Sequence, residues 1–145
     1  MILFLDFDGV LHGYGEELFV HLPVLEAILR ENPHVEVVFS TSWREIYDIK
    51  RLRSYFSPDI RPRLRGVTPV IEVKQPPYVS FVRHKEILLW LKRHQQHVRG
   101  RSWVAIDDDP FGFPDCEELI RCHPRRGLGD KEVVEELKRR LRDGR

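Results

Sequence analysis

Acidic side chains gather at two places in the 145-residue chain. Asp6-Phe7-Asp8 follows one short apolar run and Asp107-Asp108-Asp109 follows another, while Ser40-Thr41-Ser42 follows a third. If the three runs are strands of one parallel sheet, five carboxylates and several hydroxyls converge at a single edge. Anions brought that close repel one another unless a cation lies among them, and an oxygen-only donor set suits Mg²⁺ better than zinc. A metal with open positions takes phosphate oxygens, and hydroxyls with backbone N–H groups at a helix start cradle the rest. The bland alternative, loop or N-cap aspartates, accounts for one acidic strand end more easily than for two.

The elements that must position these residues are legible in outline. Residues 2–5 are a continuous apolar run, as in a strand buried on both faces. Residues 35–39, rich in β-branched side chains, predict a second strand, residues 103–106 a third and residues 119–122 a brief fourth. Residues 66–71 read as a short strand that Pro69 consigns to an edge. Between the strands, Pro23 suits a first helical turn, with Val24, Leu25, Ile28 and Leu29 recurring at helical spacing until Asn32-Pro33. Residues 43–56 predict a helix carrying Ile46, Ile49, Leu52, Tyr55 and Phe56 on one side. Residues 75–78 are a connector. Residues 81–97 predict the clearest helix, with Ile87, Leu88 and Leu91 inward, and Asp130 caps a last helix striped by Val133, Val134, Leu137 and Leu141. Strands alternating with helices predict an α/β fold, a doubly wound three-layer α/β/α parallel sheet. Its first strand lies centrally, flanked by the second and third, and its ligands lie beyond the carboxyl ends. With neither repeat nor linker, residues 1–145 read as a single domain.

Composition narrows the classes. A 41% hydrophobic, 10% aromatic chain excludes wholesale disorder. The longest apolar runs are five residues, against the ~20 that span a membrane, so no membrane partner is expected. Asp6 ends the first run before a signal-peptide core develops, and two cysteines make no disulfide framework; both point to a cytoplasmic protein. Net charge is +1, but residues 1–49 and 102–120 are acidic while residues 50–65, 83–101 and 121–145 are basic. An acidic metal centre in a basic surround attracts an anionic substrate; solvated helix faces are the plainer account of the basic runs.

Three strings together resemble a known family. The strand ending in Asp6-Phe7-Asp8-Gly9-Val10 resembles the first motif of the haloacid dehalogenase (HAD) superfamily. Ser40-Thr41-Ser42-Trp43-Arg44 resembles its second motif, and Asp107-Asp108 after a strand its fourth. Ser40-Thr41-Ser42-Trp43-Arg44, Gly66-Val67-Thr68-Pro69 and the string from Pro124 to Leu128 are moreover similar to a branch of small capless HAD domains, some of them joined to RNA-repair modules. The resemblance implies a HAD-like Rossmannoid fold without a cap domain and an Mg²⁺-dependent phosphohydrolase. Asp6 is then the nucleophile that forms an aspartyl-phosphate, and Asp8 the general acid and base. Asp6, the backbone carbonyl of Asp8 and Asp107 hold Mg²⁺, with Asp108 a neighbouring or alternative ligand. Ser40 donates to the phosphoryl group, with Thr41 its rival. The family's third motif, a Lys or Arg, falls to Lys85 ahead of Arg83, with Lys74 also in reach.

The implied substrate is phosphorylated: a small metabolite, a nucleotide or a polynucleotide end. An open, capless site and the basic runs favour polynucleotide ends, with Arg44, Arg125 and Arg126 as the first contacts to neutralise. The competing function is a non-catalytic phosphoryl- and Mg²⁺-binding regulatory module, of receiver-like or degenerate HAD type. His12 reads as a turn residue within reach of substrate, Trp43 as a half-buried anchor, Cys122 as a small buried hydrophobe, and the pair His94 and His97 as a polar helix end.

Overall fold

The computed structural model describes residues 1–72 and 80–144; Lys74 and the connector at residues 75–78 lie outside the described residues. Five strands form one all-parallel sheet: β1 (Ile2–Leu5), β2 (Glu36–Phe39), β3 (Leu64–Val67), β4 (Trp103–Asp107) and β5 (Leu119–Arg121). Their order is β3-β2-β1-β4-β5, which puts β1 at the centre. Strand side chains alternate between faces, and β1 shows it residue by residue. Leu3 and Leu5 join a core with Leu25 and Ile28 of helix α1 (Leu22–Glu31), Leu52 of α2 (Ile49–Ser54) and Leu137 of α5 (Lys131–Asp143). Ile2 and Phe4 face the other way, onto Ile87 and Trp90 of α3 (Val82–Arg93). Phe4 lies edge-on to Trp90 and Trp103, with ring centroids 5.6 and 5.7 Å away; truncating such a buried ring to Ala costs about 3–5 kcal/mol. The fold is thus the three-layer α/β/α parallel sheet, with β1 central, that the alternation predicted.

Three expected elements differ. Residues 43–56 are not one helix. Thr41 caps a 3₁₀ turn (Ser42–Glu45) by accepting the Trp43 N–H at 3.3 Å, and Asp48 caps α2 afresh by accepting the Arg51 N–H at 2.9 Å. Ile46, expected on the apolar side, falls between the two pieces and is 76% exposed. The helix expected over residues 81–97 ends at Arg93, where His94 leaves helical geometry and stacks on Trp90 at 4.0 Å; a short α4 (Gln95–Val98) follows. Within α3, Leu88 faces solvent, whereas Glu86, Ile87 and Trp90 are buried. The edge strand begins two residues earlier than expected and stops before Pro69.

Register settles where the strand ends meet. Leu5 of β1 pairs with Phe39 of β2 and Ile106 of β4, so the next residues, Asp6, Ser40 and Asp107, stand level at the carboxyl edge. Residues 11–20, between that edge and α1, hold only turns and an isolated bridge from Asp8 to His12, with no cap domain.

Candidate active site

Phe7 explains how two acids two residues apart reach the same cavity. Its ring is fully buried against Phe19, Phe39 and Trp43, with centroids at 5.7, 5.3 and 5.5 Å. The backbone on either side is thereby anchored, and Asp6 and Asp8 both line a cavity of about 390 Å³ with Tyr14, Arg83, Asp107 and Asp108. The Phe7 N–H donates to Asp6 Oδ1 at 2.8 Å. Gly9 follows at φ +77°, and the side chain of Asp108 fills the space a Cβ there would need. Only glycine serves both requirements, a left-handed turn and a close approach.

The carboxylates of Asp6, Asp107 and Asp108 each offer an oxygen, and these atoms lie within 4.8 Å of one another. Burial raises Asp6 well above the ordinary carboxylate range, the charge of Asp107 adds to the rise, and Arg83 opposes it. Burial likewise raises Asp107 to about 6, against the Asp109 N–H bond and Arg83. Asp108 is raised as well, chiefly by burial. One oxygen of Asp107 accepts the Asp109 N–H at 2.9 Å; the other, Oδ2, is buried with no hydrogen-bond partner among the described residues. Three crowded carboxylates with an orphaned oxygen are a poor resting arrangement for anions alone. They fit a hard divalent cation, which takes oxygen donors.

Ser40 and Thr41 part company here. Thr41 Oγ1 is engaged in capping Trp43, whereas Ser40 Oγ is buried with no partner among the described residues. Arg83 and Lys85 separate too. Arg83, in the first turn of α3, lines the cavity; Lys85 is exposed and does not. Gly112 makes room for Arg83, since a Cβ there would come within 2.9 Å of its Cγ. Behind it lies Glu86, 3.9 Å from the Arg83 guanidinium and 2.8 Å from that of Arg44.

Arg44 is not the surface contact expected of it. Its side chain is only 2% exposed, bound to Glu86 and donating to the carbonyls of Thr41 and Thr68 at 2.7 and 2.9 Å. It ties the loop after β2 to α3. His12 and Trp43 also do more than their types announced: both bond to the Asp8 carboxylate. The spacing gave no signal of this, because Trp43 reaches Asp8 across 35 residues. Cys122 is buried, and burial raises its thiol far above the ordinary range, which leaves it inert.

Neither curated proteins nor solved structures gave a match to this chain. The family described as the HAD domain in Swiss Army Knife RNA repair proteins matches residues 2–133. That span holds all five strands, both multi-aspartate strand ends and the loop bearing Ser40, and the chain belongs to this family of HAD domains.

Proposed function

We propose that the chain is an Mg²⁺-dependent phosphomonoesterase working through an aspartyl-phosphate. The observation that carries this reading is the gathering of carboxylate oxygens from buried Asp6 and Asp107 and half-buried Asp108 within 4.8 Å of one another, along a cavity that Asp8 and Arg83 also line. HAD membership supports a phosphohydrolase type of chemistry. Asp6, Asp107 and Asp108, with the backbone carbonyl of Asp8, would hold the ion. When bound, Mg²⁺ neutralises carboxylate and phosphate charge and polarises the phosphoryl oxygens.

This chain's own residues do the rest. Arg83 and the unpartnered Ser40 hydroxyl bind phosphoryl oxygens. An Asp6 carboxylate oxygen attacks phosphorus as the bond to the ester oxygen breaks, and Asp8 gives that oxygen its proton. Asp8 then takes a proton from water, whose oxygen attacks the aspartyl-phosphate; inorganic phosphate leaves and the Asp6 carboxylate is restored. General acid–base help of this kind contributes typically ~10²–10⁴-fold. A phosphorylated polynucleotide end in the cytoplasm is the substrate favoured by the open cleft and by the family's RNA-repair context.

Steady-state hydrolysis of an aryl phosphate tests the class. Wild type with Mg²⁺ should turn over, an EDTA control should not, and Asp6→Asn should lose several orders of magnitude while keeping its fold. Wild-type-like turnover in folded Asp6→Asn would sink the mechanism.

A further inference from the structure

Nitrogen donors hold both carboxylate oxygens of Asp8. The Trp43 indole N–H donates to Oδ2 at 2.9 Å, and His12 Nε2 lies 2.9 Å from Oδ1. The far side of the imidazole decides which way that second bond runs. The Phe19 N–H donates to His12 Nδ1 at 3.2 Å, so Nδ1 presents its lone pair and the ring proton sits on Nε2. His12 therefore donates to Asp8 as a neutral imidazole. Phe19 has a backbone of φ +59°, unusual for a bulky residue, and its ring packs on His12, Trp43 and Tyr55 with centroids at 5.6, 5.2 and 4.8 Å. Strain of that sort persists only where the surroundings enforce it.

We infer that His12 and Trp43 are positioning residues that clamp Asp8, and that residues 11–20 serve as its bracket rather than as a cover for the cleft. The inference rests on the acid–base role given to Asp8 above. Neither clamping nitrogen has a lone pair to offer, because the indole nitrogen and His12 Nε2 each carry an N–H, and His12 Nδ1 is taken by the Phe19 N–H. A carboxylate has about four lone-pair sites, so two remain for the proton Asp8 carries. That proton passes to the leaving oxygen and is replaced from water in the cavity; His12 is no relay.

The test compares Trp43→Phe, which keeps the ring and loses the N–H, with His12→Leu and His12→Gln, whose amide restores a donor. Bonds to a charged group of this kind are worth about ten- to a hundredfold in rate. Trp43→Phe and His12→Leu should lose that much kcat with KM little changed, more on alkyl than on aryl phosphates, and His12→Gln should recover most of it. Wild-type kcat in folded Trp43→Phe, or equal losses in the Gln and Leu variants, would overturn the clamp. A second readout needs no turnover. Of the three indole N–H resonances expected from three tryptophans, the one missing in Trp43→Phe should shift in Asp8→Asn. An unmoved resonance overturns the clamp; an intact clamp in a wild type without phosphatase activity overturns the proposed function instead.

Discussion

At Asp6, the proposed nucleophile, burial makes the charge costly, and Asp107 beside it raises that cost. The consequence for stability has a definite sign. Both carboxyls titrate higher in the fold than in the unfolded chain, Asp107 at about 6. Their contribution therefore favours the fold below the ordinary carboxylate range and is lost as pH rises through the raised values. Between about pH 8 and about pH 5 the metal-free protein passes through the Asp107 value of about 6, so the cluster should repel itself more at the upper pH than at the lower. Asp6→Asn should accordingly unfold at a higher temperature than wild type in EDTA at the upper pH, with the gap closing toward the lower. Added Mg²⁺ should stabilise wild type more than the variant, again chiefly at the upper pH. Thermal unfolding across that range, with and without Mg²⁺, reads both effects. A gap that does not change with pH would mean that the carboxylates do not repel one another as their burial implies.

The elements that carry the site were legible in unequal measure. Strands β1, β2 and β4 were plain because a strand buried on both faces leaves a continuous apolar run, and their polar carboxyl ends mark the edge where ligands collect. Helix phase was not. Arg83 and Lys85 lie about 200° apart around a helix of 3.6 residues per turn, so only one can face the cavity. Spacing alone does not say which, because the left-handed Phe81, φ +56°, sets how α3 begins. The break at Asp48 was missed because apolar spacing runs on through Ile46 while local caps end one piece and start another. The buried Arg44–Glu86 pair, by which the loop after β2 grips α3, was hidden by its 42-residue separation. It gives the element-scale prediction. Removing either partner alone, as in Arg44→Met or Glu86→Leu, takes a buried charge's nearest counter-ion away and should cost up to about 3–5 kcal/mol, less for Arg44→Met because Arg83 stays 3.9 Å from Glu86. The double substitution should cost clearly less than the two singles together, since neighbours in one network couple. Urea unfolding of the four proteins measures the cycle; strict additivity would deny the pair its role in joining loop to helix.

Over the whole molecule, much of the basic charge proves to be spent internally. Arg63 donates to the carbonyls of Leu29, Asn32 and Val35; Arg101 pairs with Glu36; Arg139 and Arg140 pair with Glu136. With Arg44 also buried, a polyanion finds fewer free cations than the sequence advertised. Arg125 and Arg126 differ: both are exposed, neither makes an ion pair among the described residues, and they follow Pro124, which lines the cavity. Pro124 is moreover tied to the other rim, its carbonyl accepting the N–H of Tyr14, another lining residue, at 2.9 Å. A strand whose terminal phosphate reaches Asp6 and that leaves over the Pro124 rim would pass this pair. If polynucleotide ends are the substrate, an oligomer of about ten nucleotides should show a lower KM than a mononucleotide at low salt. The advantage should shrink as salt rises, because each neutralised phosphate releases counterions. Replacing Arg125 and Arg126 by Gln should flatten the dependence of log KM on log salt by roughly 0.7 for each single-strand phosphate left unneutralised. Turnover of the mononucleotide, which offers fewer phosphates to the pair, should change less than that of the oligomer. Equal KM values for the two substrates at low salt would instead make small phosphate monoesters the substrate class, with residues 121–145 simply a solvated basic surface.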